Sequence, residues 1–207
     1  MLGSACEGED LPPLFYSAKL IQGTVVDAAT GQPLAGVIVV AQWVQSVAPA
    51  GTPHRLQVFE TVTDAQGRYR FPAWGPKLNT RFPLGSFDFR APALDFFLTG
   101  YGPDGRANEY PPREALLPSY WDGKTIQLKR FTGTDEQWAQ TLSFLQTRLD
   151  WAPGMDWRRV PRITLALEVQ HLRLSGSAIA KRGLNISGLY ALGTTIDEVR
   201  KFPGDQK

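Results

Sequence analysis

Short runs of apolar and β-branched residues, separated by turn-forming residues, occupy the first 130 positions of the chain. Valine, isoleucine and aromatic side chains in such runs are typical of strands on a pleated, half-buried surface. Six or seven runs at this spacing predict a mainly β protein that is built as a β-sandwich. The runs cover residues 20–27, 35–43, 56–63, 68–71, 87–91, 94–99 and 125–129.

Two of the connections between these runs have recognisable turn chemistry. Gly31 tolerates a positive φ, and Pro33 fixes φ where the chain leaves the first turn. In the second turn, Asp64 can accept hydrogen bonds from the backbone ahead of it, and Gly67 can take the left-handed conformation that returns the chain. Both turns are therefore predicted to be structural.

The period of the apolar residues changes after Phe131. Thr134 and Gln137 form a capping-box pattern, so a helix is predicted to begin at this point. Apolar residues then recur at spacings of four, three and four, which places them on one helical face. These residues are Trp138, Leu142, Leu145 and Leu149.

Residues 159–176 fit two different elements. Apolar residues at every second position from 163 to 169 alternate as in a strand. Pro161 at the start and Gly176 at the end are typical of a helix, which is the favoured interpretation.

The end of the chain carries a second capping box, formed by Thr195 and Glu198, which predicts a short helix over residues 196–202. We expect residues 131–207 to form a helical extension that covers a face or edge of the sandwich. A helix over an exposed edge strand prevents unwanted strand pairing.

Residues 23–37 (GTVVDAATGQPLAGV) and 61–71 (TVTDAQGRYRF) resemble the signature of the carboxypeptidase regulatory-like domain. Every position of that signature is occupied, and the resemblance covers residues 18–130, with long insertions between 72 and 123. It implies a seven-stranded Greek-key β-sandwich that is transthyretin-like. It also implies a non-catalytic module that packs, spaces or binds, with no catalytic residues to carry over.

The N-terminus contains the only cysteine, Cys6, directly after the small residues Ser4 and Ala5. This arrangement resembles the end of a bacterial lipoprotein signal, although the usual leucine is one position too far upstream. Residues 1–17 then predict a flexible tether between a lipid on Cys6 and the sandwich, in the bacterial cell envelope or periplasm. If Met1 is the native start, Cys6 is an exposed thiol and the protein is cytoplasmic.

Charge and composition exclude several classes of partner. The chain has 22 Lys and Arg against 20 Asp and Glu, a net charge of +2 without a basic stripe, so no nucleic-acid partner is expected. No run of 18 apolar residues is present, so contact with a membrane is expected only through the anchor on Cys6.

No catalytic residue, metal site or cofactor is predicted. His54 and His171 are far apart, and neither has a second good metal ligand near it in the sequence. Intradiol dioxygenases have a related sandwich but need a close His-x-His pair on iron, and hydroxyisourate hydrolase has a C-terminal tail that differs from this one. No nucleophile motif or phosphate loop is found. Four acidic residues are interpreted as solvated loop acids, namely Asp95, Asp104, Glu109 and Asp122.

Aromatic residues are concentrated between positions 71 and 121. Loop members of this group could form an exposed platform for a sugar ring or a protein, because Trp and Tyr dominate binding hot spots. The sequence thus predicts a non-catalytic accessory module that binds another envelope protein. The alternative is a module that binds a glycan or a peptide. The candidate binding residues are Trp74, Tyr101, Tyr110 and Trp121.

Overall fold

The structure is a computed structural model, and it describes residues 11–47, 52–80, 82, 85–87, 91–108, 116–150, 152 and 155–175. Within these ranges the chain is mainly β, with eleven strands and two α-helices. The strands are Phe15–Ala18 (β1), Ile21–Asp27 (β2), Ile38–Val47 (β3), Thr52–Val62 (β4), Arg68–Phe71 (β5), Trp74–Leu78 (β6), Gly85–Phe87 (β7), Ala93–Phe97 (β8), Asp104–Arg106 (β9), Leu116–Leu117 (β10) and Lys124–Leu128 (β11). The helices are Asp135–Leu149 (α1) and Pro161–Ser175 (α2).

The strands form three sheets. Two small sheets have the orders β10-β1-β6 and β11-β2-β5, and the large sheet has the order β4-β3-β8-β9, with β7 also paired to β3. The predicted mainly β, sandwich-like class is confirmed. The predicted number of seven strands is wrong, because β1, β6, β9 and β10 lie outside the runs that the sequence pattern identified.

The large sheet is covered on both faces because side chains along a strand point alternately to opposite sides. Val39, Ala41 and Trp43 of β3 belong to a core that is shared with the small sheets. Val40 of the same strand belongs to a second core that is shared with both helices, together with Phe97 of β8. The chain therefore has three layers: small sheets, large sheet and helices.

Helix α1 begins as the sequence predicts. The Thr134 hydroxyl accepts the Gln137 N–H at 3.3 Å, and the Gln137 side chain accepts the Thr134 N–H at 2.8 Å, so the predicted capping box is confirmed. The predicted apolar face is confirmed as well, since it packs on the large sheet. Its buried members include Trp138, Leu142, Leu145 and Leu149.

Helix α2 resolves the ambiguity between helix and strand. Ile163, Leu167 and Leu174 are buried at spacings of four and seven, as one face of a helix requires. The helix predicted over residues 196–202 lies outside the described residues.

The first sheet begins earlier than the sequence pattern indicated. Tyr16 and Ala18 of β1 are each 2% exposed and belong to the sandwich core. Residues 15–17, which the sequence analysis placed in the tether, are therefore part of a strand that pairs with β6 and β10.

Candidate functional site

Asp27, in the motif over residues 23–37, anchors the turn that follows β2. Its Oδ1 accepts the N–H groups of Ala29 and Thr30 at 2.9 and 3.0 Å. Its Oδ2 accepts the Tyr101 hydroxyl at 2.8 Å, and the Arg130 guanidinium lies 3.3 Å away. These contacts, led by the Tyr101 hydrogen bond, lower the pKa of Asp27 to about 2. The carboxylate therefore stays ionised and holds the turn.

Thr63 and Asp64, in the motif over residues 61–71, hold the two predicted turns together. The Thr63 hydroxyl accepts the Val37 N–H at 2.9 Å and donates to the Leu34 carbonyl at 2.7 Å. Asp64 accepts the N–H of Arg68 at 2.9 Å, which closes the second turn. Both side chains are thus engaged with the backbone of these turns.

Two of the four predicted platform residues are buried. Trp74 is 8% exposed, and its ring meets Trp43 edge-on with centroids 5.4 Å apart. Tyr101 is 5% exposed, and its hydroxyl is bound to Asp27. The expected exposure is wrong for Trp74 and Tyr101, because both rings fill the sandwich core. Tyr110 and the predicted lipidation site Cys6 lie outside the described residues.

Trp121 is half-buried at the surface and forms an aromatic ledge with Tyr120 and Arg106. Its Nε1–H donates to the Ala107 carbonyl at 2.8 Å, which fixes the indole. The Arg106 guanidinium lies 4.9 Å from the Trp121 ring centroid, and Asp104 holds Arg106 through a 2.7 Å ion pair. Tyr120 is 50% exposed and meets Trp121 edge-on, so the ledge presents an aromatic ring to solvent.

Asp95 lies between the large sheet and α1, where it is 3% exposed. One oxygen is 2.8 Å from the Arg148 guanidinium, and the other accepts a 3.4 Å hydrogen bond from the Gln42 amide. Burial raises the pKa of Asp95 to about 6, although Arg148 opposes the shift. The interpretation of Asp95 as a solvated loop acid is therefore wrong, since it lies within β8.

Glu60 of β4 caps the N-terminus of α2. Its two carboxylate oxygens accept the N–H groups of Arg162 and Ile163 at 2.9 and 2.8 Å. Free N–H groups at a helix N-terminus favour a negative charge. Burial outweighs this effect and raises the pKa of Glu60 to about 7. The N-terminal cap of α2 is therefore provided by a side chain more than 100 residues away in sequence.

The remaining acids and histidines are distributed over the fold. Asp104 pairs with Arg106, and Asp122 accepts the Gln22 N–H at 2.9 Å. His54 lies in β4 and His171 in α2, and Glu109 lies outside the described residues. Across the part of the chain that the structure describes, no group of three potential metal ligands converges.

An exposed apolar surface, which the sequence analysis missed, lies on the sheet β10-β1-β6. Phe15 and Leu78 are direct neighbours across β1 and β6, and each is 50% exposed. Leu116 of β10 is 41% exposed and stands beside Ser17 of β1. We call Phe15, Leu78 and Leu116 the outer apolar face. The pattern hid it because Leu14, Phe15 and Tyr16 are consecutive apolar residues without visible alternation.

No family model matches the sequence, and no curated protein matches it significantly. Among solved structures, 3-chlorocatechol 1,2-dioxygenase from Rhodococcus opacus is similar with a TM-score of 0.28 and 15% identity, over 59% of this chain and 62% of the dioxygenase. Catechol 1,2-dioxygenase from Acinetobacter is similar with a TM-score of 0.30 and 17% identity, over 61% of this chain and 56% of the dioxygenase. The C-terminal domain of the shaft pilin SpaA from Lactobacillus rhamnosus is similar with a TM-score of 0.26 and 10% identity, over 57% of this chain and 100% of that domain.

The match thus spans less than two thirds of the length of either dioxygenase. Similarity at this level carries no information about the activity of this chain. A separate observation concerns the membrane: among the described residues, no helix is long and apolar enough to cross a bilayer.

Proposed function

We propose that this chain is a non-catalytic accessory module of the carboxypeptidase regulatory-like type, with a structural or protein-binding role in the bacterial cell envelope. The observation that supports it best is the use of the signature residues. Asp27, Thr63 and Asp64 each bind backbone groups of the two turns. A family without a catalytic site shares residues that stabilise its fold, and these three residues stabilise the two turns. The transthyretin-like, Greek-key arrangement is part of the same proposal.

The anchoring of the module rests on Cys6. A small-residue pair directly before the only cysteine fits processing by a lipoprotein signal peptidase, which leaves the cysteine at the new N-terminus. Partner binding then takes place at the membrane surface, where tethering raises the effective concentration of both proteins.

The test is the intact mass of the protein, expressed from its native locus with the upstream DNA in place and recovered from the membrane fraction. We expect a diacylglyceryl group on Cys6 at the N-terminus, and neither the lipid nor cleavage before position 6 in the Cys6→Ser variant. An unmodified wild-type protein in the soluble fraction would contradict the anchoring. Turnover of a substrate by the pure protein, abolished by changing one acidic residue, would contradict the non-catalytic role.

A second candidate function is favoured by the aromatic ledge. Tyr120 is half-exposed, and Trp121 is held rigidly by the Ala107 carbonyl and Arg106, so the pair offers a preorganised stacking surface for a sugar ring or a peptide. Titration with a panel of glycans and peptides, followed by NMR, tests this function. Shifts at the ledge that Tyr120→Ala removes and Phe144→Ala retains would support it, and a flat response from folded protein would exclude these ligands.

A further inference from the structure

Strand pairing in the sheet β10-β1-β6 brings the residues of the outer apolar face together. Antiparallel pairing places the Cβ atoms of Phe15 and Leu78 about 5 Å apart, because residues directly opposite each other share one face of the sheet. Leu116 is on the same face of β10, beside Ser17. The next residue of each strand, Tyr16 or Leu117, points into the core and is at most 2% exposed.

Further apolar residues stand at the ends of these strands. Leu11 and Leu14 lead into β1 and are 68% and 48% exposed, and Phe82 follows β6 and is 42% exposed. The cation nearest in sequence, Lys77, turns away from this face, because its Nζ donates to the Leu56 carbonyl and to Gln57. Lys19 follows β1 directly and is exposed, so the outer apolar face has a cation at its rim. Exposed apolar clusters with a polar rim mark interaction sites.

The position of Cys6 favours a lipid surface as the partner of this face. Four residues lie between Cys6 and Leu11, and the five steps along an extended chain reach at most about 18 Å. A lipid on Cys6 would thus hold the apolar residues that precede β1 within one short span of the bilayer. Leu and Phe side chains gain free energy when they move from water into the acyl region of a lipid surface.

We infer that the outer apolar face rests on the surface of the lipid bilayer, so that Phe15, Leu78 and Leu116 enter the membrane beside the anchor. This inference rests on the proposed function in one respect only, which is the natural lipid anchor on Cys6. The contact is peripheral, and it fixes the orientation of the module: the small sheet β10-β1-β6 faces the lipid, and the helices lie on the opposite side of the large sheet.

The test attaches the full chain through Cys6 to phosphatidylcholine vesicles that contain a maleimide lipid, which is selective because no other cysteine is present. Leu78→Trp adds a fluorophore to the outer apolar face, and Leu172→Trp adds one at a matched position on α2, since the two leucines are 50% and 53% exposed. Replacement of the phospholipid by its brominated form then quenches only those indoles that touch acyl chains.

We expect brominated lipid to quench the emission added by Leu78→Trp several-fold more than the emission added by Leu172→Trp. Phe15→Trp provides a second probe in case the first variant does not fold. Equal quenching at both positions, or none at position 78 and position 15, would overturn the inference.

Two further results separate the alternatives. If a second copy of this chain covers the face, the soluble protein will be a dimer in sedimentation equilibrium, Leu78→Glu will dissociate it, and the inference is wrong. If native Cys6 carries no lipid but the quenching difference is found on maleimide vesicles, the anchoring part of the proposed function fails while the lipid-facing surface stands.

Discussion

The carboxylate of Asp95 on β8 lies 2.8 Å from the guanidinium of Arg148 on α1, and this ion pair joins the sheet to its helical cover. The Asp95 side chain is 3% exposed, whereas that of Arg148 is 42% exposed. The Arg148 side chain therefore remains in contact with water, while it neutralises the charge of a carboxylate that is shielded from water. The strength of the pair depends on the buried partner, because a buried carboxylate without a counter-charge is costly.

Arg148→Met is expected to lower the free energy of unfolding by about 1 to 3 kcal/mol at neutral pH, a range reduced from that of a fully buried pair because Arg148 is partly solvated. Urea denaturation measures the change. In the Asp95→Asn background the same substitution should have little effect, since no charge is left unpaired. Arg68→Met, at the exposed pair with Asp64, is the matched control and should change stability little. An equal loss in both Asp95 backgrounds would contradict the coupling.

Gly105→Ala should reproduce part of the Arg148→Met effect without removing either charge. A Cβ at position 105 would overlap the Arg148 guanidinium, so the arginine would have to leave its place beside Asp95. A rise of the Asp95 pKa in Gly105→Ala, followed by NMR of its carboxyl carbon, checks this expectation. An unchanged pKa would show that the guanidinium keeps its contact by another route.

The stability of the protein should fall as the pH rises from mildly acidic to mildly alkaline values. The pKa of Glu60 is raised from its ordinary 4.5 to about 7, so the folded chain holds this proton more tightly than the unfolded chain does. The favourable contribution is fully present below pH 4.5 and is lost as the pH passes 7, and it amounts to about 3 kcal/mol. Asp95, with its pKa raised to about 6, acts in the same direction at lower pH.

Glu60→Gln provides the test of that pH dependence. Urea denaturation of the wild type should give a lower free energy of unfolding at about pH 8 than at about pH 6, and the variant should lose most of this difference. The amide oxygen can still accept an N–H from α2, so the helix cap is partly retained. A wild-type profile that is flat, or that rises with pH, would contradict the raised pKa of Glu60.

Trp138 is expected to be the main apolar contact between α1 and its surroundings. Its ring stacks on Phe97 with centroids 6.3 Å apart, and its Nε1–H donates to Gln170 of α2 at 3.0 Å. Trp138→Ala should cost about 3 to 5 kcal/mol, because it leaves a cavity and an unpaired amide. Phe144→Ala on the same helix should cost less than about 0.5 kcal/mol, since Phe144 is 72% exposed. Similar losses for both would contradict this assignment.

Two glycines with the same backbone conformation should respond differently to alanine. Gly31 and Gly67 have φ values of 69° and 71°, so each substitution carries strain of about 1 to 2 kcal/mol. A Cβ at Gly31 meets no atom within 4 Å, whereas one at Gly67 would collide with the Val25 carbonyl oxygen. Thermal unfolding should therefore show a clearly larger loss for Gly67→Ala. Equal losses would mean that the second turn can move away from β2.

Local signals in the sequence sufficed for α1 but not for α2. Thr134 and Gln137 lie within one turn of each other, so the start of α1 could be predicted from four residues. The alternation of apolar residues in α2 also fits a strand, and the Glu60 carboxylate that caps the helix is about 100 residues away. Contacts of that kind cannot be found from periodicity.

The wrong prediction of exposure for Trp74 and Tyr101 has the same cause, since contacts between distant residues bury both rings. No local pattern indicates that the Tyr101 hydroxyl reaches Asp27, 74 positions earlier, or that Trp74 meets Trp43. A loop aromatic is exposed or buried according to where an insertion folds, and the strands β6 and β10 were themselves outside the predicted set. The turns at Gly31 and Gly67 were predicted correctly, because positive φ is a local requirement.

The pairing of β2 with β11 has a consequence for the synthesis of the chain. β2 ends at Asp27, and its parallel partner begins at Lys124, so about 100 residues must be added before the second edge of β2 can be covered. A ribosome adds about 5 to 20 residues per second, which leaves this edge open for about 5 to 20 s. During synthesis, the nascent N-terminal strands therefore expose an unpaired edge on which other chains could aggregate. This edge is covered only after β11 has been synthesised.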